Sequence, residues 1–214
     1  MALFSQSAED ALKAAISMQS KIIEFNRDRE KNNDPSIVIG IGLHTGSVIL
    51  GTVGEHKRIE TTVISNAVNL AARLEGLTKL YGAKILISAD TLFKLIRSEE
   101  LQPIEYHHRF LGKVKVKGQN QAVAVYEIYD AEIESQAVVS YKDRTKPKFW
   151  RAIVLFHQKE FEEALKIFEE IGTLQNEEGQ VIFTDLAADR YARRCRDYID
   201  RGVPENWDGT EDFN

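Results

Sequence analysis

Asn69 and Arg73 stand four residues apart in the run VISNAVNLAARLEG, residues 63 to 76. Positions i and i+4 share one face of a helix. A carboxamide there can fix a hydroxyl, and a guanidinium can fork onto a phosphate. The chemistry on offer is the holding of a phosphorylated, hydroxyl-bearing ligand. The same pair also fits a solvated helix edge, with Arg73 paired to Glu75 or another acid. In GKVKVKG, period two puts Lys113, Lys115 and Lys117 on one side of a strand. They suit an anion, or they guard a strand edge against aggregation. Gly40, Gly42, Gly46, Gly51 and Gly54 suggest a phosphate cradle. The run lacks the Gly-Lys-Ser/Thr ending and does not lead from a strand into a helix. A hairpin with close backbone approach is the favoured reading. His107 and His108 point to opposite faces of a strand and have no zinc-ligand spacing. They are assigned no chemistry.

Bulk properties narrow the classes. At 43% hydrophobic and 29% charged, the 214 residues suit a globular chain with a real core. A net charge of −5 offers no basic excess for nucleic acid. The single cysteine, Cys195, excludes an internal disulfide and a multi-cysteine metal site, as in a reducing cytoplasm. The start MALFSQSAEDALKAA lacks the basic and apolar regions of a signal peptide. No run reaches the ~20 apolar residues of a membrane span. The expected location is the cytoplasm.

The elements that must position these residues follow from periodicity. A helix is predicted over about 8 to 31, capped by Ser7 with Glu9 and Asp10 in its first turn, its apolar stripe interrupted by Gln19. NNDPS breaks the chain at 32 to 36. Two strands, 37–43 and 47–53, are predicted as a hairpin around His44-Thr45-Gly46. IETTVI reads as a further strand. A helix follows from Asn66 to about Leu80, with Val68, Ala71, Leu74 and Ala67 as its packing stripe. AKILIS is a strand, SADTLFKLI a helix capped by Ser88 or Asp90, and two strands flank Gly118. The order indicates an α/β sandwich, one sheet with helices on it. Residues 131–147 are polar and aperiodic and read as a linker. Residues 148–202 are helical, with Gly202 as a stop. The acidic tail, 203–214, is expected to fray.

Taken jointly and in order, IGIGLHTGSVILGTVG, TTVISNAVNLAARLEGLTK, AKILIS, FLGKVKVKG and AVAVYEIYD are far more specific than any one of them. Residues 1–130 resemble the class III adenylate/guanylate cyclase catalytic domain, specifically its C-terminal two-thirds. The resemblance implies a ferredoxin-like sandwich with a mostly antiparallel sheet, truncated at its N-terminus. It also implies a site at a head-to-tail dimer interface, where a nucleoside triphosphate closes to its 3′,5′-cyclic monophosphate and pyrophosphate. By motif position, Asn69 would orient the ribose and Arg73 would meet the α-phosphate. Lys117 would bind the terminal phosphates. Thr62 would select the purine, with a lean to ATP over GTP, and Val63 would offer backbone contact to the base.

The family's two metal ions, Mg2+ or Mn2+, are held by two aspartates that would lie upstream of Met1, as would a purine-contacting lysine. The expectation is therefore a chain inactive alone, completed by a homodimer or a complementary cyclase half. Loss of a central strand would also leave apolar sheet face and open edges. Ala152, Leu155, Phe161, Ala164 and Phe168 fall near the packing positions of a tetratricopeptide-type repeat. A generic helical hairpin fits equally. A two-helix unit cannot bury its face alone, so it must dock on the cyclase-like domain or on a protein partner. The competing function is a non-catalytic cyclase-homology module that dimerises or regulates, with those helices as a protein-binding segment.

Overall fold

The computed structural model describes residues 1–55, 58–96, 105–116, 122–131 and 135–213, with only the backbone for 50–64, 116, 212 and 213. The first part of the chain runs α1 (Ala8–Lys31), β1 (Ile41–Leu43), β2 (Ile49–Glu55), β3 (Arg58–Ile64), α2 (Asn66–Tyr81), β4 (Ile85–Ser88), α3 (Ala89–Leu95), β5 (His108–Val116) and β6 (Val123–Ile128). There follow α4 (Gln136–His157), α5 (Phe161–Glu170), β7 (Thr173–Gln175), β8 (Val181–Thr184), α6 (Leu186–Arg201) and β9 (Glu211–Phe213).

Ser7 caps α1, its hydroxyl accepting from the amides of Glu9 and Asp10. Gln19, the polar break in the apolar stripe of α1, is buried. Its amide nitrogen donates to the carbonyls of Ile39 (3.0 Å) and Lys84 (3.2 Å), so it satisfies two backbone acceptors at the foot of the sheet.

The main sheet has the order β1-β4-β6-β5-β9. It is mixed: β1–β4 and β5–β9 are parallel, and the longer β4–β6 and β5–β6 ladders are antiparallel. On one face, Leu12 and Ala15 of α1 and Leu92 of α3 cover Ile85, Ile87 and Ile128. On the other, α2 and α4–α6 cover Leu86, Leu111, Val114 and Val125. The architecture is an α/β fold with helices packed on a mixed sheet and further helices at the C-terminus.

Four expectations are corrected. The hairpin does not turn at His44–Gly46: β1 pairs with β4, and β2 pairs with β3, with Gly51 opposite Thr62. The glycines explain why. A Cβ on Gly42 would come within 2.3 Å of the Ala71 carbonyl and the Glu75 amide, and one on Gly40 within 1.9 Å of the Thr78 hydroxyl. They let α2 lie directly on the strand backbone rather than serving a turn.

The proposed linker is a helix from 136 onward. Ser135 caps α4, and Val138, Val139, Tyr141, Lys142 and Thr145 are buried. The segment looks aperiodic in sequence because a lysine and a threonine occupy its buried face.

The tail is not frayed either. The Trp207 ring lies 5.5 Å from Phe156, 5.6 Å from Phe161 and 5.8 Å from Tyr198, and β9 joins the sheet beside β5. Finally, α5 and α6 are separated by the β7–β8 hairpin, which departs from a repeat of paired helices. The apolar positions named for the repeat do enter the core: Ala152, Ala164 and Phe168 are buried, and Leu155 and Phe161 pack against them.

Candidate functional site

Helix α2 is the element that carries the candidate groups. Ser65 caps it, accepting from the Ala67 amide (3.0 Å) and donating to the Ser47 carbonyl (2.6 Å). That second bond ties the helix start to the loop leaving β1. At its far end Gly82 takes φ +63°, and Leu186 of α6 fills the space where a Cβ would sit.

The face of α2 that enters the core is Leu70, Leu74, Leu77, Thr78 and Tyr81. Of the expected stripe, Leu74 is buried in this face, whereas Ala67, Val68 and Ala71 are only half-buried. Asn69 and Arg73 each precede a core leucine and flank that stripe. Asn69 is exposed and Arg73 half-buried. Among the described residues neither side chain makes a hydrogen bond, and Arg73 pairs with neither Glu75 nor any other acid.

The remaining sequence candidates divide. Thr62 and Val63 lie in β3, backbone-paired with Gly51 and Leu50, a short step before α2. Their side chains are outside the described residues, as is all of Lys117. Lys113 is exposed, whereas Lys115 pairs with Asp208 of the tail at 2.8 Å. His107 and His108 go separate ways. His107 Nδ1 meets Asp143 of α4 at 2.9 Å, and His108 Nδ1 meets the Tyr106 carbonyl at 2.8 Å.

The loop between β1 and β2 is anchored. His44 Nδ1 lies 2.8 Å from the Ser88 hydroxyl, and the Thr45 hydroxyl donates to Thr91 at 3.1 Å. Burial lowers the His44 pKa, against the opposing pull of Asp90.

Sequence reasoning missed a buried cluster of four charged groups. Arg109 of β5 donates from Nε to Glu127 of β6 at 2.6 Å and grips both carboxylate oxygens of Asp185. Lys142 of α4 donates to the other Glu127 oxygen at 2.7 Å. Asp185 also caps α6 through the amides of Ala187 and Ala188. The Arg109 guanidinium stacks over Phe149 at 4.7 Å. All four charged groups are buried. Burial alone would raise the Glu127 pKa, but Arg109 and Lys142 outweigh it and hold the carboxylate below its usual range. In sequence the cluster is four charges scattered over 77 residues, with no spacing to mark it.

A divalent metal is what the resemblance implies. Among the described residues no group of three or more His, Cys, Asp or Glu side chains converges in a way that would hold one. Among the described residues no helix is long and apolar enough to cross a membrane.

Residues 1–129 match the family described as adenylate and guanylate cyclase catalytic domain. An adenylate cyclase of Anabaena cylindrica is 45% identical over 134 residues, covering 60% of this chain and 26% of that protein. The terminal-differentiation-specific adenylate cyclase of Dictyostelium discoideum is 34% identical over 174 residues, covering 79% of this chain and 8% of that protein. The chain thus spans about a quarter or less of the length of these relatives. Among solved structures, the adenylyl cyclase CyaB from P. aeruginosa aligns with a TM-score of 0.48 at 26% identity, covering 57% of this chain and 59% of that one. The family match spans more than half of the residues and contains α2 with Asn69 and Arg73, and on the ground of that match the chain belongs to the adenylate and guanylate cyclase catalytic domain family.

Proposed function

We propose that this chain supplies the ribose- and phosphate-contacting part of a nucleotide cyclase site, acting on ATP in preference to GTP. In the reaction the 3′-hydroxyl of the nucleotide attacks its own α-phosphorus. The new P–O bond closes the ring, the bond from the α-phosphorus to the oxygen bridging it to the β-phosphorus breaks, and the 3′-proton is lost. Cyclic nucleotide and pyrophosphate leave. Asn69 holds the ribose, Arg73 meets the α-phosphate as charge gathers on its oxygens, and Lys117 holds the terminal phosphates. Thr62 and Val63 face the base. Such pre-placed donors lower the barrier because they need not reorganise as charge develops.

The observation that carries this reading is the state of α2. Its stripe of Leu70, Leu74, Leu77 and Tyr81 is spent on the core, while the amide and guanidinium beside it have no protein partner among the described residues. The competing reading, a solvated edge with Arg73 paired to an acid, has no such pair to support it among the described residues. The active unit is a dimer of this chain, or this chain with a complementary cyclase half. The apolar face of the C-terminal helices is buried on the sheet.

The test is mixing. Adding a metal-competent cyclase half to the full chain should produce cyclic AMP. Asn69→Ala or Arg73→Ala should each reduce the rate ~10²–10³-fold, the effect of losing one transition-state donor. Unchanged rates in both variants would remove the catalytic assignment. ATP should also raise the melting temperature of the parent chain, since selective binding to the folded state stabilises it.

A further inference from the structure

Strand β5 ends one residue before Lys117, and α2 carries Asn69 and Arg73, yet the two elements are not neighbours. Helix α2 lies against β1 and β4, and the strand order places β6 between β4 and β5. What spans the gap comes from residues beyond the family match. Tyr191 of α6 donates to the Leu111 carbonyl at 2.8 Å, and its hydroxyl sits 2.2 Å from where a Cβ on Gly112 would be. Leu186 of α6 seats against Gly82 at the end of α2. The tail then closes the bridge. The backbone of Glu211 pairs with Val114 of β5, while its carboxylate accepts from the Tyr81 hydroxyl of α2 at 2.9 Å and from Arg190 Nε at 2.7 Å. Arg194 stands 3.6 Å away on the same carboxylate.

We propose that Glu211 is a positioning residue: through Tyr81 it fixes the site helix α2 relative to strand β5, making the C-terminal segment a brace for the nucleotide site. The proposal rests on the cyclase reading for its catalytic consequence. Tyr81 belongs to the same rigid helix as Arg73, eight residues on, about 12 Å at the rise of an α-helix. A small rotation at one end therefore moves the guanidinium at the other. Arg73 acts on charge that develops in the transition state. Its displacement lowers kcat more than it raises KM.

The experiment uses the full chain with nitroxide labels at Gly76→Cys on α2 and Lys113→Cys on β5. A Cβ at Gly76 meets nothing within 4 Å, Lys113 is exposed, and the native Cys195 is buried beyond labelling. Pulsed electron resonance should give one narrow distance in the parent and a broadened or split one in Tyr81→Phe and Glu211→Gln. In the mixture with a metal-competent half, both unlabelled variants should lose roughly tenfold in kcat with KM within about twofold, and the double variant should be no worse than the worse single one. A contact that merely adds stability would lower the melting temperature and leave the distance narrow, and that result overturns the proposal. So does a broadened distance with unchanged kcat. A parent mixture that makes no cyclic nucleotide would fell the cyclase reading instead, while the distance measurement still decides whether the brace exists.

Discussion

Arg109 and Glu127 illustrate what a single buried residue can decide. Each would be costly to bury alone, and each is retained because its partners come from elsewhere in the chain: Asp185 from the N-cap of α6 and Lys142 from α4. Removing one partner of such a cluster costs about 3–5 kcal/mol, since it leaves charge uncompensated in the interior. Glu127→Gln should lower the urea midpoint accordingly. The pH dependence follows from the direction of the shift. The folded Glu127 carboxyl titrates below its unfolded value, so its contribution is complete above about pH 4.3 and is lost as pH falls through the depressed folded value. Urea midpoints measured from pH 6 downward should fall less steeply in Glu127→Gln than in the parent. Cys195 gives a second check. Its thiol is buried and pushed up to about 12 by that burial, so it should resist thiol reagents in the native state and react on unfolding. Of the candidate site residues, Asn69 and Arg73 were legible because a polar i,i+4 pair beside apolar positions is itself a signal. Tyr81 and Glu211 were not: one reads as an ordinary helix end, the other as part of an acidic tail.

Among the elements, α2 carries the sharpest expectations because two of its glycine contacts differ so clearly. Gly42 of β1 lies under the helix backbone, with Ala71 and Glu75 at 2.3 Å from any added Cβ. Gly42→Ala should cost ~1–3 kcal/mol or more, as overpacking does, and should lift α2 from the strand. Gly76 sits in the same helix facing open space, and Gly76→Ala should stabilise by ~0.5–1 kcal/mol through helix propensity alone. Thermal melts of the two variants should move in opposite directions. The helices and strands of the first 130 residues were readable because their apolar periods are regular and their caps, Ser7, Ser65 and Ser88, are conventional. The pairing of β1 was misjudged because adjacent strands separated by His-Thr-Gly look like a hairpin. Only the long-range match of Ile41 to Ile85 shows otherwise.

At the scale of the whole molecule, the cyclase-family region and the C-terminal helices share one core. Leu70, Leu74, Leu111 and Val125 from the first pack with Phe149, Phe156, Tyr191 and Ala192 from the second. The Arg109–Asp185 and Lys142–Glu127 pairs cross the same boundary. The chain should therefore unfold in one calorimetric transition. A version ending at residue 130 should fail to give a cooperative melt, because truncation would bare both an apolar sheet face and two buried charges. Motif order and local periodicity are written along the chain, and from them the family, the helix that carries the candidate groups and the types of those groups can be read. That the apparent linker and tail are structural members emerges only once the chain is folded. The residues that give them partners are 15 to 130 positions away, and nothing local marks a lysine or a glutamate as one that will be buried and paired.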